Sequence, residues 1–397
     1  MSNEQPYKYH RHIAFRNVYM REWKRLLSGK IYLFCMVIAP LICFFFFLNL
    51  MKDGLPTQLP IALVDLDNSA SSRNLCRQLD AFEGSNITMQ LKTFAEARHQ
   101  LQSGEIYGIL YIPEGFQREA ASGKQPVLSY YTNNAYLIAG SLLFKELKTI
   151  ATLAAVAVPF QTGLAKGIDE TQLMATIQPI TVNTHPMGNP WLNYAVYLDN
   201  LILPCILQLM VMIVTVFSIG IEIKRRTARE WLQAGNNSII IALIGKLIPQ
   251  FIIFSIVGIV LMLSMYGWMQ FPLLSGFFPM FSALLLLILA AQALGIVMIG
   301  TLPTLRLGLS FACLFGMISF SISGFSFPVS AMYPPIQALS NLFPMRHYFL
   351  IYVDQALNGR DFIYSGLSYI CLAAFLILPV LILRNLKEAL LYFKYIP

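Results

Sequence analysis

Six apolar runs divide the chain, and each is long enough to cross a bilayer as a helix, which takes about 20 apolar residues. Only Lys246 brings a charged side chain into any of them. The pattern therefore predicts an all-α membrane bundle of six transmembrane helices. The predicted spans lie near Ile31–Met51, Leu201–Ile221, Ile239–Tyr266, Phe277–Leu302, Leu307–Phe327 and Leu367–Leu383.

The segment before the first span, residues 1–30, is basic and amphipathic. On a helical wheel Tyr19 and Trp23 fall on an apolar arc, and Arg21 and Arg25 fall on the opposite arc. We predict a cytoplasmic helix that lies in the headgroup layer, with Tyr19, Trp23 and Arg25 at the interface. No small-residue cleavage site follows the first span, so we interpret it as a retained helix and not as a secretion signal.

Residues 52–195 form the long segment between the first two spans, and here strands alternate with helices. This order predicts an inserted extracytoplasmic domain of the α/β or α+β class. Asp67 and its neighbours Asn68 and Ser69 are interpreted as a turn and helix cap, and not as part of a metal site with Asp65 and Asp80. Strands are predicted at Pro60–Asp65, Ile87–Leu91, Tyr107–Ile112 and Val127–Tyr131, and helices at Arg73–Phe82 and Phe94–Leu101.

One segment of this domain leaves the topology open. Ile150–Phe160 is strongly apolar, but it has only eleven residues before Gln161. That length is too short to span a bilayer, so a long helix of the domain is favoured. If the segment did span, the predicted membrane orientation of every later segment would be reversed.

Composition and charge agree with a membrane protein. Hydrophobic residues make up 56% of the 397 residues and charged residues 12%, against about 25% charged in soluble domains. The net charge of +8 comes largely from basic residues beside the spans, so we predict a lipid bilayer partner and no nucleic acid. The positive-inside rule predicts a multi-pass protein with both termini in the cytoplasm. The basic flanks include Lys224, Arg225, Arg226, Arg229, Arg306, Arg384 and Lys387.

The sequence carries no signature of an enzyme, cofactor or metal. It has no P-loop and none of the common hydrolase motifs. The central thirds of the spans contain no Asp or Glu; Asp199 is predicted at the outer edge of span two, and Lys246 is expected to snorkel to the cytoplasmic face. If the chain moves a solute, the energy is therefore expected from a partner.

The cytoplasmic loop 221–238, between spans two and three, is a candidate docking element. Glu222, Arg226 and Glu230 are spaced four apart and would pair on a helix, and Trp231 with Leu232 would add apolar anchors. A charged, aromatic helix of this kind suits a soluble partner. A basic loop resting on anionic lipid fits the same residues equally well.

The segment 328–362 before the last span is apolar but punctuated by proline. We predict two short re-entrant helices that cap the outer mouth of a cavity. An interfacial loop packed on the outer domain is the alternative, and Arg346 with His347 is interpreted as an interface pair more readily than as an anion site. The candidate gate residues are Gly324, Phe327, Pro328, Met332, Pro334, Pro344 and Arg346.

Taken together, three motifs resemble ABC-2 type permeases with a large extracytoplasmic domain, the membrane subunits of type V ABC exporters. Leu63–Ser69 resembles the start of the family's outer domain. Glu222–Leu232 is similar to its coupling helix, and Gly324–Gly359 is similar to the signature before its last span. One position departs from the pattern, because Arg226 stands where the family usually has Gly before Thr.

The resemblance implies a permease dimer, identical or mixed, with two ABC ATPase subunits docked below it. It also implies export of amphiphiles, drugs or lipid-like molecules, and a periplasmic adaptor in some members. The residues that it assigns to ATPase coupling are Glu222, Lys224, Arg225, Arg226, Thr227, Glu230 and Trp231.

Two other functions remain open at this stage. A non-transporting surface receptor or envelope assembly factor could share the architecture, and it would need no ATPase partner. A lipid-modifying membrane enzyme is weaker, because only His347 and Asp354 are available near the bilayer surface.

Overall fold

The computed structural model describes residues 11–122, 124–178, 185, 188–190 and 192–392. The first ten residues of the predicted N-terminal helix therefore lie outside the described residues. The chain divides into two compact units. An α/β unit takes Leu55–His185, and a helical unit takes the described residues before and after it.

Two helices open the helical unit, α1 (Arg11–Ser28) and α2 (Lys30–Leu50). Gly29 separates them with an extended backbone, at φ −90° and ψ 106°. Helix α2 contains one π-helical turn, Phe34–Ile38, just before Pro40. Proline has no N–H to continue the regular ladder, which explains an irregular turn at this point.

The α/β unit contains a four-stranded sheet of order β2-β1-β3-β4. The first three strands are parallel, and β4 pairs antiparallel with β3 at the edge. Each of the four predicted strands is present, with ends shifted by no more than two residues. The elements are β1 (Leu59–Asp65), α3 (Ala70–Asp80), β2 (Ser85–Gln90), α4 (Phe94–Ser103), β3 (Gly108–Ile112), α5 (Phe116–Ala121), β4 (Ser129–Thr132), α6 (Leu137–Ala165) and α7 (Glu170–Ile177).

Alternation along β1 sends its side chains into two separate cores, because successive residues of a strand point to opposite faces. Ile61 and Leu63 pack in one core with α3 and α6, and Ala62 and Val64 pack in the other with Ala97 of α4. The turn after β1 is built as predicted, since Ser69 caps α3 by accepting a hydrogen bond from the Ser72 amide.

Helix α6 contains the ambiguous segment Ile150–Phe160. Its residues Leu143, Leu147, Ile150 and Ala154 are four apart or nearly so, and all are buried in the core beneath the sheet. The apolar face of this helix is already shielded from water by the core of its own unit, so it does not require a bilayer to bury it. The structure therefore favours a helix of the α/β unit over a membrane span.

The rest of the helical unit is a succession of long helices joined by short ones. The long helices are α8 (Tyr194–Lys224), α10 (Ile239–Trp268), α11 (Phe277–Thr301), α12 (Leu305–Ile322) and α15 (Phe362–Tyr392). The short helices are α9 (Ala228–Ala234), α13 (Pro334–Ser340) and α14 (Pro344–Tyr352).

Six helices in the described part of the chain are long and apolar enough to cross a membrane, namely α2, α8, α10, α11, α12 and α15. Helix α11 is the most enclosed: 78% of its most apolar stretch is buried, against 17% for α15. Helix α11 can lie close to α8 because Gly295 faces Thr215. A Cβ added to Gly295 would come within 2.8 Å of the Thr215 side chain. The bundle is thus centred on α8 and α11.

Candidate functional site, a buried charge cluster

Helix α1 lies along α10 through one narrow face. The residues on that face are Ala14, Val18, Glu22 and Leu26, each four positions from the next, which places them on one side of a helix. The contact is close at Gly245, where an added Cβ would come within 2.9 Å of Val18. Glu22 is therefore carried into a packed interface among apolar side chains.

Glu22 is neutralised by Lys246 of α10. The Lys246 ammonium donates to Glu22 Oε2 at 2.7 Å, and the Gln250 amide donates to Glu22 Oε1 at 3.3 Å. Glu22 is 1% exposed and Lys246 is 0% exposed. The expectation that Lys246 snorkels to the membrane surface is wrong, because a buried carboxylate partner holds its ammonium inside the protein.

Glu222, near the end of α8, is the centre of the cluster. Arg21 donates to both of its carboxylate oxygens, at 2.8 Å and 3.1 Å, in the two-pronged geometry that favours Arg over Lys. Arg25 also donates to Oε1, and Lys246 donates to the same oxygen at 3.0 Å. The fully buried Glu222 thus joins α1, α8 and α10 at one point.

We call Arg21, Glu22, Arg25, Glu222 and Lys246 the charge cluster. Three cations and two carboxylates leave it with a net charge of +1. Burial acts to lower the pKa of Arg21, but the hydrogen bonds and charge of Glu222 outweigh that effect and raise the pKa. The Arg21 guanidinium therefore stays charged, and removing Lys246 would leave the buried Glu22 carboxylate without an ion-pair partner.

The chain turns sharply after Glu222, so the predicted Glu222–Arg226 pair on one helix is wrong. Helix α8 ends at Lys224, and Arg226 has φ +61°, in the left-handed region. The Thr227 hydroxyl then donates to Glu222 Oε2 and fixes the turn. Arg226 occupies the position at which the family pattern has Gly, and the backbone geometry explains that preference.

Helix α9 is held against its own chain by its apolar residues. Trp231 and Leu232 are 0% and 1% exposed, and the Lys246 ammonium lies 4.7 Å from the centre of the Trp231 indole. They are therefore not anchors for a partner, as the sequence suggested. What α9 and the preceding turn expose is a set of charged side chains that we call the loop surface: Lys224, Arg225, Arg226, Arg229 and Glu230.

The predicted interfacial residues of α1 separate into two groups. Arg25 turns toward Glu222, so it is not on a solvated arc as the helical wheel implied. The rings of Tyr19 and Trp23 meet edge to face with their centres 6.2 Å apart, and both remain partly exposed. Their placement in a headgroup layer stays a prediction.

The gate candidates lie on short, proline-initiated helices. Pro334 and Pro344 start α13 and α14, where the missing N–H costs nothing.

Gly324 has φ +96° just after the end of α12, and the Arg346 guanidinium donates to the adjacent Ser323 carbonyl at 3.0 Å. Phe327 and Pro328 are exposed, and Met332 is half-buried. The arrangement ties α14 to the end of α12, while the gate role stays a prediction.

Three buried polar residues escaped the sequence analysis. Glu22 was counted only as a charge, although its spacing from Val18 and Leu26 placed it on the packed face of α1. Lys246 was assigned to the surface. Asp199, predicted at an outer edge, is fully buried in the second turn of α8, and neither of its oxygens has a hydrogen-bond partner within the described residues.

No group of three or more His, Cys, Asp or Glu that could hold a metal ion occurs in the described residues. The ion pairs of the charge cluster hold α1, α8 and α10 together next to the exposed turn 224–226.

Comparison with known proteins gives one result for the chain. A family model described as "ABC-2 family transporter protein" matches residues 30–383, which is most of the chain and covers the α/β unit and much of the helical unit. A search of curated proteins found no match.

Proposed function

This chain belongs to the ABC-2 family of transporter proteins, and on that premise we propose that it is the membrane permease subunit of an ATP-driven exporter. The proposed cargo is an amphiphilic small molecule, a drug or a lipid-like molecule, moved out of the cytoplasm or the inner leaflet. ATP would be hydrolysed on separate ABC ATPase subunits, because the sequence has no P-loop.

The observation that carries this proposal is the placement of the loop surface on the charge cluster. A partner that docks on Arg225 or Arg229 would contact the turn that carries Thr227 and Trp231. The Thr227 hydroxyl donates to Glu222, and the Trp231 ring packs against the Lys246 ammonium. Because the cluster is buried and multiply bonded, a push on α9 would displace α1, α8 and α10 together instead of bending the turn alone.

The same displacement would reach the centre of the bundle through α8. This helix runs for 31 residues, from Tyr194 to Lys224 beyond the cluster, and packs along α11 and α12. At its far end the Tyr197 hydroxyl donates to the Phe325 carbonyl, next to Gly324. In the proposed mechanism, α8 carries the motion from the ATPase side to the gate residues Gly324, Phe327, Pro328, Met332, Pro334, Pro344 and Arg346.

An apolar groove supports an amphiphilic cargo. It has a volume of about 380 Å³ and lies between α10, α11 and α15. Leu247, Phe251, Leu289 and Ile296 are among its lining residues, and Gln292 is the polar one. Acyl or aromatic groups would fit such a lining, whereas a strongly hydrated solute would not.

The remaining partners follow from the exporter proposal. Two permease chains, identical or paired with a sister chain, would sit in the bacterial inner membrane with both termini in the cytoplasm. The α/β unit would lie outside, where a periplasmic adaptor could meet it.

Affinity purification of the tagged chain from its native membrane, with mass spectrometry of co-eluting proteins, tests the proposal. We expect a stoichiometric P-loop ATPase with the native chain. Charge reversal by Arg225→Glu together with Arg229→Glu should remove most of it. Arg98→Glu together with Arg118→Glu is the matched control, because both arginines are exposed and belong to the α/β unit, which is predicted to face away from the ATPase.

An ATPase that stays bound to the Arg225→Glu/Arg229→Glu chain would contradict the docking assignment. A native chain that elutes alone, or only with surface proteins, would contradict the exporter itself and favour the receptor or assembly-factor alternative.

A further inference from the structure

The α/β unit contains a cavity of about 790 Å³ at the carboxyl ends of β1 and β2. The two strands are parallel neighbours, with Leu63 opposite Gln90, so both end at the same edge of the sheet. Helix α3, which connects them, forms the third wall. In open α/β sheets ligands bind outside the carboxyl ends of the strands where the strand order reverses, and in this sheet the order reverses at β1, which forms one wall of the cavity.

The cavity is lined by three cations. Arg73 and Arg77 lie one turn apart on α3, and Lys92 follows β2. Within the described part of the chain, the exposed side chains of Arg77 and Lys92 have no hydrogen-bond or ion-pair partner, and the exposed side chain of Arg73 donates only to the main-chain oxygen of Asn68. Like charges one turn apart repel each other, so an anion between them would relieve an unfavourable arrangement.

Asp65 is the one carboxylate in the lining, and its oxygens are already engaged. Its Oδ1 accepts from the amides of Asp67 and Asn68, both at 3.0 Å, and its Oδ2 accepts from the Ser72 hydroxyl at 2.7 Å. It fixes the turn into α3 and does not bond to any of the three cations. Three cations and one carboxylate give the lining a net charge of +2.

The remaining walls are apolar or neutral. Leu63, Leu66 and Leu91 line the cavity beside the basic residues. Burial, reinforced by the charge of Asp65, raises the pKa of the Cys76 thiol to about 11, so this side chain adds no charge at neutral pH. The cavity is also much larger than a bare phosphate ion requires, since pockets of about 300–1,000 Å³ hold drug-sized ligands.

We infer that this cavity binds a phosphate monoester attached to an apolar group, with Arg73, Arg77 and Lys92 on the phosphate and the leucines on the apolar part. A phosphate monoester carries about −1.5 to −2 charges at pH 7, which matches the lining. Two Arg side chains also suit phosphate, because each guanidinium offers paired donors to its oxygens.

Cys76 provides a reporter inside the cavity, and it is the one cysteine of the chain that lies outside the candidate spans. The full-length chain in detergent would be labelled with a charged maleimide at mildly alkaline pH, and the rate would be read at the Cys76 peptide by mass spectrometry. Hexyl phosphate, inorganic phosphate and hexyltrimethylammonium are the three probes, each compared with no addition.

We expect hexyl phosphate to slow labelling severalfold and hexyltrimethylammonium to have no effect. The double variant Arg73→Gln/Arg77→Gln should need about tenfold or more of hexyl phosphate for the same protection. The double variant Arg98→Gln/Arg118→Gln removes two exposed arginines that do not line the cavity, and it should behave as the native chain.

The inorganic phosphate result identifies the source of the anion. Protection by hexyl phosphate alone assigns the cavity to a phosphorylated amphiphile, and equal protection by both assigns it to a free phosphate group. The inference is overturned if neither phosphate protects Cys76, if the cationic probe protects as well, or if the Arg73/Arg77 variant is unchanged. The assay involves neither ATP nor export, so its failure leaves the exporter proposal standing.

Discussion

At the residue scale, Glu222 supports the largest number of interactions in the charge cluster. Replacing it by Gln keeps the shape but leaves Arg21 and Arg25 without a carboxylate hydrogen-bond partner, and leaves Lys246 paired with Glu22 alone. Removing one partner of a buried ion pair costs about 3–5 kcal/mol. We expect Glu222→Gln to lower the thermal unfolding temperature of the detergent-solubilised chain markedly.

Glu230→Gln is the control for that measurement, because Glu230 is exposed on α9 and makes the same change of charge. It should leave the unfolding temperature almost unchanged. If both variants unfolded at the native temperature, Glu222 would not be the structural centre of the cluster.

Arg226 adopts a left-handed backbone conformation that is less unfavourable for glycine. A non-glycine residue in the left-handed region costs roughly 1–2 kcal/mol, and Arg226 has φ +61°. We expect Arg226→Gly to stabilise the chain by about 1 kcal/mol or less, since glycine also gains freedom in the unfolded state. Thermal unfolding measures the difference.

Arg225→Gly gives the matched comparison for this position. Arg225 has φ −86°, a conformation that any residue adopts, so glycine should only destabilise there. The interpretation of the turn fails if the two glycine variants change stability in the same direction.

At the element scale, the contact between α1 and α10 depends on Gly245. An alanine Cβ at that position would approach Val18 to 2.9 Å, and overpacking of this kind costs about 1–3 kcal/mol. We expect Gly245→Ala to loosen α1, although alanine is the better helix former. Limited trypsin digestion should cleave within α1, at Arg16 or Arg21, severalfold faster than in the native chain.

Gly267→Ala tests whether the effect is local, because an added Cβ on this residue of α10 meets nothing within 4 Å. Cleavage of α1 should be unchanged in this variant. Equal acceleration by both substitutions would show that α10 as a whole, and not its contact with α1, is affected.

The elements themselves were largely predictable, and their contacts were not. Apolar runs and period-two strands are local properties, so the strand β1 and the long helix α8 could be placed from sequence. The face of α1 was misjudged because hydrophobicity alone put Arg21 and Arg25 on the solvent side. Their long side chains instead reach around the helix to Glu222, which lies about 200 residues further along the chain.

At the scale of the whole molecule, the orientation of the chain across the membrane can be tested with two introduced cysteines. A Cys76→Ser background retains five cysteines, all within candidate spans, and its labelling provides the baseline. In this background Glu105→Cys places an exposed thiol on the α/β unit and Glu230→Cys places one on the loop surface. In spheroplasts, an impermeant maleimide should label the first and reach the second only after lysis.

Labelling of both thiols in intact spheroplasts would contradict the positive-inside assignment. Labelling of Glu230→Cys alone would show that the chain has the opposite orientation in the membrane. Neither result would alter the fold of either unit, because each unit packs around its own core.

The sequence by itself determined which segments can cross a membrane, where the α/β unit interrupts them, and that no P-loop motif occurs among its residues. These features follow from local composition and periodicity, which act over a few turns. Only the tertiary structure decided that Lys246 is buried, that Glu222 binds residues of α1, and that Trp231 packs inward. Such pairings depend on which helices become neighbours, and a charged residue gives the same local signal whether its partner is water or a carboxylate on a distant helix.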